Sequence, residues 1–248
     1  MNCREYGNKP YKIIVVHGGP GAIGSCAGIC RGLSDEFGVI EILQSKNSIQ
    51  ELVNEMLDVI ESYELKQVVL VGHSWGAWLS FIFTSLHPEY IRKLILVGSG
   101  LFDATYYPQF VAASNVKIMP AEQKKDLQFA NLYSTSMEYN PYSYCLIPNM
   151  PDDTIVFNEE QCKSLMSEIM PIRDNGKLIN YSENILCPVI AIHGKNDPHI
   201  VEGIKIPLEN RLSNFKMLVL DKCGHEPWKE YYAKEKFFEI LKKELNVK

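Results

Sequence analysis

The chain has 248 residues, 46% of them hydrophobic and 22% charged, which is enough apolar material for one domain with a sizeable core and an insertion. A net charge of −5 argues against nucleic acid or an anionic membrane surface as partner, and no apolar run approaches bilayer length. The stretch Met1-Asn2-Cys3-Arg4-Glu5-Tyr6 lacks the apolar core of a signal peptide, so a cytoplasmic protein is expected.

The first strand signal is Tyr11–Val16, which runs into His17-Gly18-Gly19-Pro20-Gly21. Gly19, Gly21 and Gly24 spell G-x-G-x-x-G after a strand, and Glu41 lies roughly where a ribose-binding acid would be sought. Pro20 removes an N–H from the turn that would cradle pyrophosphate, and Glu41 falls inside the strand Val39–Leu43. A dinucleotide site is therefore rejected. The same loop serves acyl transfer better, because backbone N–H groups at Gly18 and Gly19 can approach a developing oxyanion without side chains in the way. His17 is expected to fix the loop by hydrogen bonding. From Ser48 to Tyr63, apolar residues recur at helical spacing behind a capping box of Ser48 and Glu51.

The run Gln67–Val71 then leads into Gly72-His73-Ser74-Trp75-Gly76 and the helix-like Ala77–Ile82. Strand, G-x-S-x-G and helix together are the sequence form of a nucleophile elbow, with Ser74 at its apex and the Trp75 N–H as an oxyanion donor. His87 before Pro88 is expected to end that helix, and Trp78 and Phe81 to pack in the core. The strand Lys93–Val97 ends in Gly98-Ser99-Gly100, with no carboxylate before Asp103.

From Leu101 to Leu186 the strand rhythm stops. Prolines and a run of aromatics that includes Tyr106, Tyr107, Phe110, Phe129, Tyr133, Tyr139, Tyr142 and Tyr144 surround two helix-like pieces, near Pro120–Tyr133 and Glu159–Met170. This segment, 101–186, reads as a cap inserted into a core made of 1–100 and 187–248, with most of its aromatics forming a small core of their own. Strand order resumes with Pro188–Ile192, followed by Asp197-Pro198, and with Lys216–Leu220, followed by Cys223-Gly224-His225-Glu226-Pro227-Trp228. Serine needs a base, and the base needs an anion to hold its tautomer. Ser74 is assigned as nucleophile, His225 as base and Asp197 as orienting acid; Asp221 and Glu226 sit too close along the chain to orient the His225 ring. Glu226 and Trp228 remain candidates for substrate contact, Cys223 for oxidation, and Ala233–Leu245 for a final packing helix.

Strands alternating with helices imply an α/β fold: a mainly parallel, doubly wound sheet carrying the inserted helical cap. With these residues in this order, the chain resembles the α/β-hydrolase superfamily over nearly its whole length. The loop His17-Gly18-Gly19-Pro20-Gly21 and the tryptophan after the nucleophile are similar to the proline iminopeptidase branch, in which acidic cap residues anchor the substrate amine. The chain departs from that branch after Val39–Leu43, where Gln44-Ser45-Lys46-Asn47 replaces its glycine-rich loop.

The expected activity is a serine hydrolase acting on a small ester or amide through an acyl-enzyme. It needs no cofactor, and no metal is expected, since the seven cysteines and six histidines show no ligand spacing. Alternatives are a proline iminopeptidase-like aminopeptidase, a non-hydrolytic ligand-binding or signalling member of the fold, and non-hydrolytic chemistry such as acyl transfer to an alcohol.

Overall fold

Continuous β-branched runs bury both faces of a strand, whereas helices bury one stripe; this chain alternates the two. The computed structural model describes residues 2–246. In chain order the first half comprises β1 (Cys3–Tyr6), β2 (Tyr11–Val16), β3 (Ala22–Ile23), α1 (Ala27–Leu33), β4 (Gly38–Ile42), α2 (Ile49–Ser62), β5 (Val68–His73), α3 (Trp75–Leu86) and β6 (Ile91–Val97). The second half comprises α4 (Tyr107–Ser114), α5 (Ala121–Phe129), β7 (Val156–Phe157), α6 (Glu159–Asp174), β8 (Val189–Gly194), α7 (Glu202–Glu209), β9 (Phe215–Leu220) and α8 (Lys234–Asn246).

Among the described residues, seven strands form one sheet in the order β1-β4-β2-β5-β6-β8-β9. All neighbours run parallel except β1, which pairs antiparallel with β4 at the edge. Side chains alternate across the pleat. Ile14, Val16, Leu70, Leu94 and Leu96 face a core with α2, α3 and α7, while Ile13, Val15, Val69, Val71, Ile95 and Val97 face another with α1 and α8. Because the central strands are parallel, the loops after β2, β5 and β8 emerge at one edge of the sheet, and the loop after β9 joins them.

Ser48 caps α2 as its spacing predicts, accepting from the Glu51 N–H, and α3 stops at Leu86 with His87 as its C-cap. Two helix bounds differ from expectation. The helix near Pro120–Tyr133 ends at Phe129. The one from Glu159 runs past Pro171 to Asp174, because its buried face continues from Leu165 and Ile169 to Arg173. The inserted segment divides in its packing. Leu127, Tyr144 and Cys145 form a small separate core with Tyr133 and Tyr232, whereas Leu165, Ile169, Leu178 and Ile185 join the main core beneath the sheet.

Candidate active site

Ser74 occupies the single step between β5 and α3 with φ +53° and ψ −118°. That backbone region costs a non-glycine residue on the order of 1–3 kcal/mol and persists only where the surroundings hold it. The turn closes because Gly72 and Gly76 touch: a Cβ on Gly72 would lie 2.3 Å from the Gly76 carbonyl oxygen. Ser74 stays partly exposed while the residues on either side are buried.

The Ser74 hydroxyl donates to His225 Nε2 at 2.9 Å. On the other side of the ring, His225 Nδ1–H donates to Asp197 Oδ2 at 2.6 Å. Three residues singled out from the sequence, far apart in the chain, thus form one hydrogen-bonded line. Burial alone would lower the affinity of His225 for a proton, yet the charge and hydrogen bond of Asp197 outweigh it and lift its pKa above the ordinary value. Burial would likewise raise Asp197. The nearby rings of His225, His193 and His199, together with the hydrogen bonds it accepts, hold it well below the usual carboxylate range.

The second carboxylate oxygen is occupied by His199, a residue outside the serine, acid and histidine pattern. Asp197 Oδ1 accepts from both the backbone N–H and Nδ1–H of His199, each at 2.9 Å. An aspartate accepting from the N–H two residues on is an Asx turn, so Asp197-Pro198-His199 did carry a local signal. His199 stacks on Phe110 of α4 at 4.5 Å and lies 5.0 Å from the His225 ring. Asp197, His199 and His225 each offer a metal-ligand atom within 4.8 Å of the others, and in this structure those atoms bond to one another.

His73 supports the base from behind. Its Nε2–H donates to the His225 carbonyl oxygen at 3.1 Å, and burial keeps the ring neutral with a strongly lowered pKa. Gly18 lies against both residues of the elbow: a Cβ there would meet His73 Nδ1 at 2.5 Å and Ser74 Cβ at 2.9 Å. Gly19 follows with φ +41°, turning the loop away. Gly18 therefore passes beside the nucleophile, and Trp75 follows it in the chain as the first residue of α3. His17 is buried and pushed down to about 4 by desolvation; its Nε2 accepts from the Gln44 N–H, so the proton sits on Nδ1.

The remaining expectations are revised. Trp228 is 1% exposed and sets its ring edge-on to His73 at 4.7 Å, which makes it a support under the histidine loop and not a pocket wall. Glu226 pairs with Lys229 at 2.8 Å, so its charge is already neutralised. Cys223 is fully buried and desolvation pushes its thiol pKa far up, so it lacks the thiolate character that oxidation requires. Glu230, which carried no sequence signal, is fully buried and accepts from the N–H groups of Gly224, Tyr144 and Cys145 at 3.0, 2.8 and 2.6 Å. Together with the bond from the His225 N–H to the Tyr142 carbonyl oxygen at 2.8 Å, it fastens the inserted segment to the histidine loop.

The family model for the alpha/beta hydrolase fold matches residues 44–230. The chain is 22% identical over 249 residues to the 2-hydroxy-6-oxononadienedioate/2-hydroxy-6-oxononatrienedioate hydrolase of Cupriavidus pinatubonensis, a match covering 91% of this chain and 84% of the relative. Over a shorter stretch it is 32% identical to the proline iminopeptidase of Neisseria gonorrhoeae, covering 35% of this chain and 32% of that protein. Among solved structures, the enol-lactonase from Burkholderia xenovorans LB400 superposes with a TM-score of 0.67 at 16% identity, covering 99% of this chain and 96% of the other. That likeness concerns the fold.

Proposed function

Since the chain belongs to the alpha/beta hydrolase fold family, we propose that it is a serine hydrolase that cleaves a small ester or amide through an acyl-enzyme. The observation that carries this reading is the continuous line from Ser74 Oγ through His225 to Asp197 at 2.9 and 2.6 Å. His225 Nε2 takes the hydroxyl proton as Ser74 Oγ bonds to the substrate carbonyl carbon. The carbonyl electron pair moves onto oxygen, toward the N–H groups of Trp75 and the Gly18–Gly19 turn. Collapse expels the leaving group, which takes the proton from His225 Nε2. Water then gives its proton to the same nitrogen and its oxygen to the acyl carbon, and Ser74 departs with the returned proton.

The segment 101–186 acts in this reading as a cap. Phe110 on His199 and Tyr142 at 5.7 Å from His225 supply its apolar wall. The pairing of Glu226 with Lys229 favours an ester or neutral amide over a substrate with a free amine, because the carboxylate next to His225 in the chain already has a cation beside it. The relatives named as oxononadienedioate hydrolases and the structural likeness to an enol-lactonase make an oxo-dienedioate and an enol lactone the next probes after short-chain esters.

The test is intact-mass spectrometry after treatment with a fluorophosphonate. One adduct mapping to Ser74, absent in Ser74→Ala, is the expected result. Folded protein that takes up no adduct would overturn the proposal and favour a non-hydrolytic, ligand-binding role.

A further inference from the structure

Gln44 is fully buried, and all four of its polar atoms are engaged. Its carboxamide Oε1 accepts from the Trp75 indole N–H at 2.8 Å, and its Nε2 donates to the His17 carbonyl oxygen at 2.9 Å. Its backbone N–H donates to His17 Nε2 at 3.2 Å. Its carbonyl oxygen accepts from Gln161 Nε2 of α6 at 3.2 Å, and the same nitrogen donates to the Lys46 carbonyl oxygen at 2.8 Å. The orientation of the carboxamide is dictated by its partners, since an indole N–H only donates and a carbonyl only accepts.

The two residues that this side chain joins are the ones that matter for an oxyanion. His17 immediately precedes Gly18 and Gly19, and Trp75 carries the other proposed donor on its own backbone. His17 directly follows β2 and Trp75 opens α3; the two segments also touch where Gly18 lies against Ser74 and Gly76 against the His17 carbonyl oxygen, and the Gln44 side chain adds the hydrogen bonds that span them. Oxyanion donors work by being held in place before charge develops, so the spacing between them is what a positioning residue must set.

We propose that Gln44 is a positioning residue for the oxyanion hole: it locks the glycine loop and the nucleophile elbow at a fixed separation. Gln161 ties the inserted segment to the same point. The proposal rests on the serine-hydrolase reading for its catalytic consequence but not for its structural one.

The experiment compares the native protein with Gln44→Met, which keeps length and apolar volume while removing both side-chain bonds, and with Trp75→Phe, which removes only the indole donor. Fluorophosphonate labelling of Ser74 is followed as a function of reagent concentration, alongside melting temperature and hydrogen exchange of peptides covering residues 15–21 and 74–78. The maximal labelling rate is expected to fall about tenfold or more in Gln44→Met, with the half-saturating concentration unchanged, because the defect concerns developing charge and not ground-state binding. Trp75→Phe should reproduce much of that loss, and the double variant should be little worse than Gln44→Met, since both break one connection. Exchange at residues 15–21 should rise in Gln44→Met. Should Gln44→Met fail to fold, the labelling rate of Trp75→Phe decides. A folded variant labelling within about twofold of native, unchanged exchange at residues 15–21, or losses that multiply in the double variant would each overturn the inference. If the native protein itself takes no label, the hydrolase reading fails, and the exchange result still judges the role of Gln44.

Discussion

Asp197 shows how one carboxylate sets the chemistry of its neighbours. It holds His225 in the tautomer with its proton on Nδ1, leaving Nε2 free to accept from Ser74. The proposed base must be neutral to accept a proton. Its pKa is raised, so activity should be lost below that raised value and appear as pH climbs through it, on the alkaline side of an ordinary histidine. Asp197→Asn removes the charge that lifts it. The acid limb of kcat/KM should then move to lower pH, while kcat falls by roughly three to four orders of magnitude through loss of the tautomer; a pH–rate profile of both proteins reads the two effects separately. Glu41 presents the opposite sign. It is fully buried with Oε1 unpartnered, and desolvation raises its pKa to about 7 against the hydrogen bond from Tyr6 and the charge of Arg4. The folded state therefore holds this proton more tightly than the unfolded chain, and stability should decline as pH rises from the ordinary carboxylate value to about 7. Glu41→Gln should raise stability at pH 8 by on the order of 2–3 kcal/mol and change it little at pH 4, as measured by urea unfolding at the two pH values.

At the scale of elements, the loops after the strands carry the site, and their mutual attachments decide its precision. Strands β2, β5 and β8 and helix α2 were legible because apolar period, glycine punctuation and the Ser48–Glu51 cap are short-range patterns. The edge strand β1, the ribbon of β3 with β7, and helices α4 and α7 were not, since each is short and gains its order from what it packs against or pairs with. Glu230 is the attachment with most at stake. Three N–H groups from two separate segments converge on its buried carboxylate. Glu230→Gln replaces one acceptor oxygen with an NH2 that opposes an N–H. A loss of about 2–3 kcal/mol is expected, with faster hydrogen exchange confined to residues 142–147 and 223–226.

The whole molecule is a sheet buried on both faces, and α8 covers one face with its last turn beside the starts of β6 and β9. Lys93 of β6, 5% exposed, meets Glu244 of α8 at 3.6 Å, and Lys216 of β9 reaches the same carboxylate at 2.8 Å. Glu244→Ala would leave the Lys93 charge buried without its counterion. A cost near the low end of about 3–5 kcal/mol is expected in chemical denaturation, because Lys93 keeps the Glu244 carbonyl as an acceptor. Lys93→Met with Glu244→Leu should recover most of it, since a buried pair replaced by apolar groups is often near neutral.

The sequence by itself determined the alternation of strands and helices, the elbow at Ser74 and the order of serine, acid and histidine. Each is written in neighbouring residues or in a period along the chain. It also named the three residues that meet. That His225 stands within 2.9 Å of a serine 151 residues away, and within 2.6 Å of an acid 28 residues away, was decided by the parallel sheet that brings their loops to one edge. The parts played by Gln44 and Glu230, and the burial of Trp228, belong wholly to the tertiary structure, whereas His199 had only its local Asx turn on Asp197 to announce it. A polar side chain in a linear pattern has no partner; whether it ends as a solvated surface group or a fully bonded support depends on which backbone groups the fold places beside it.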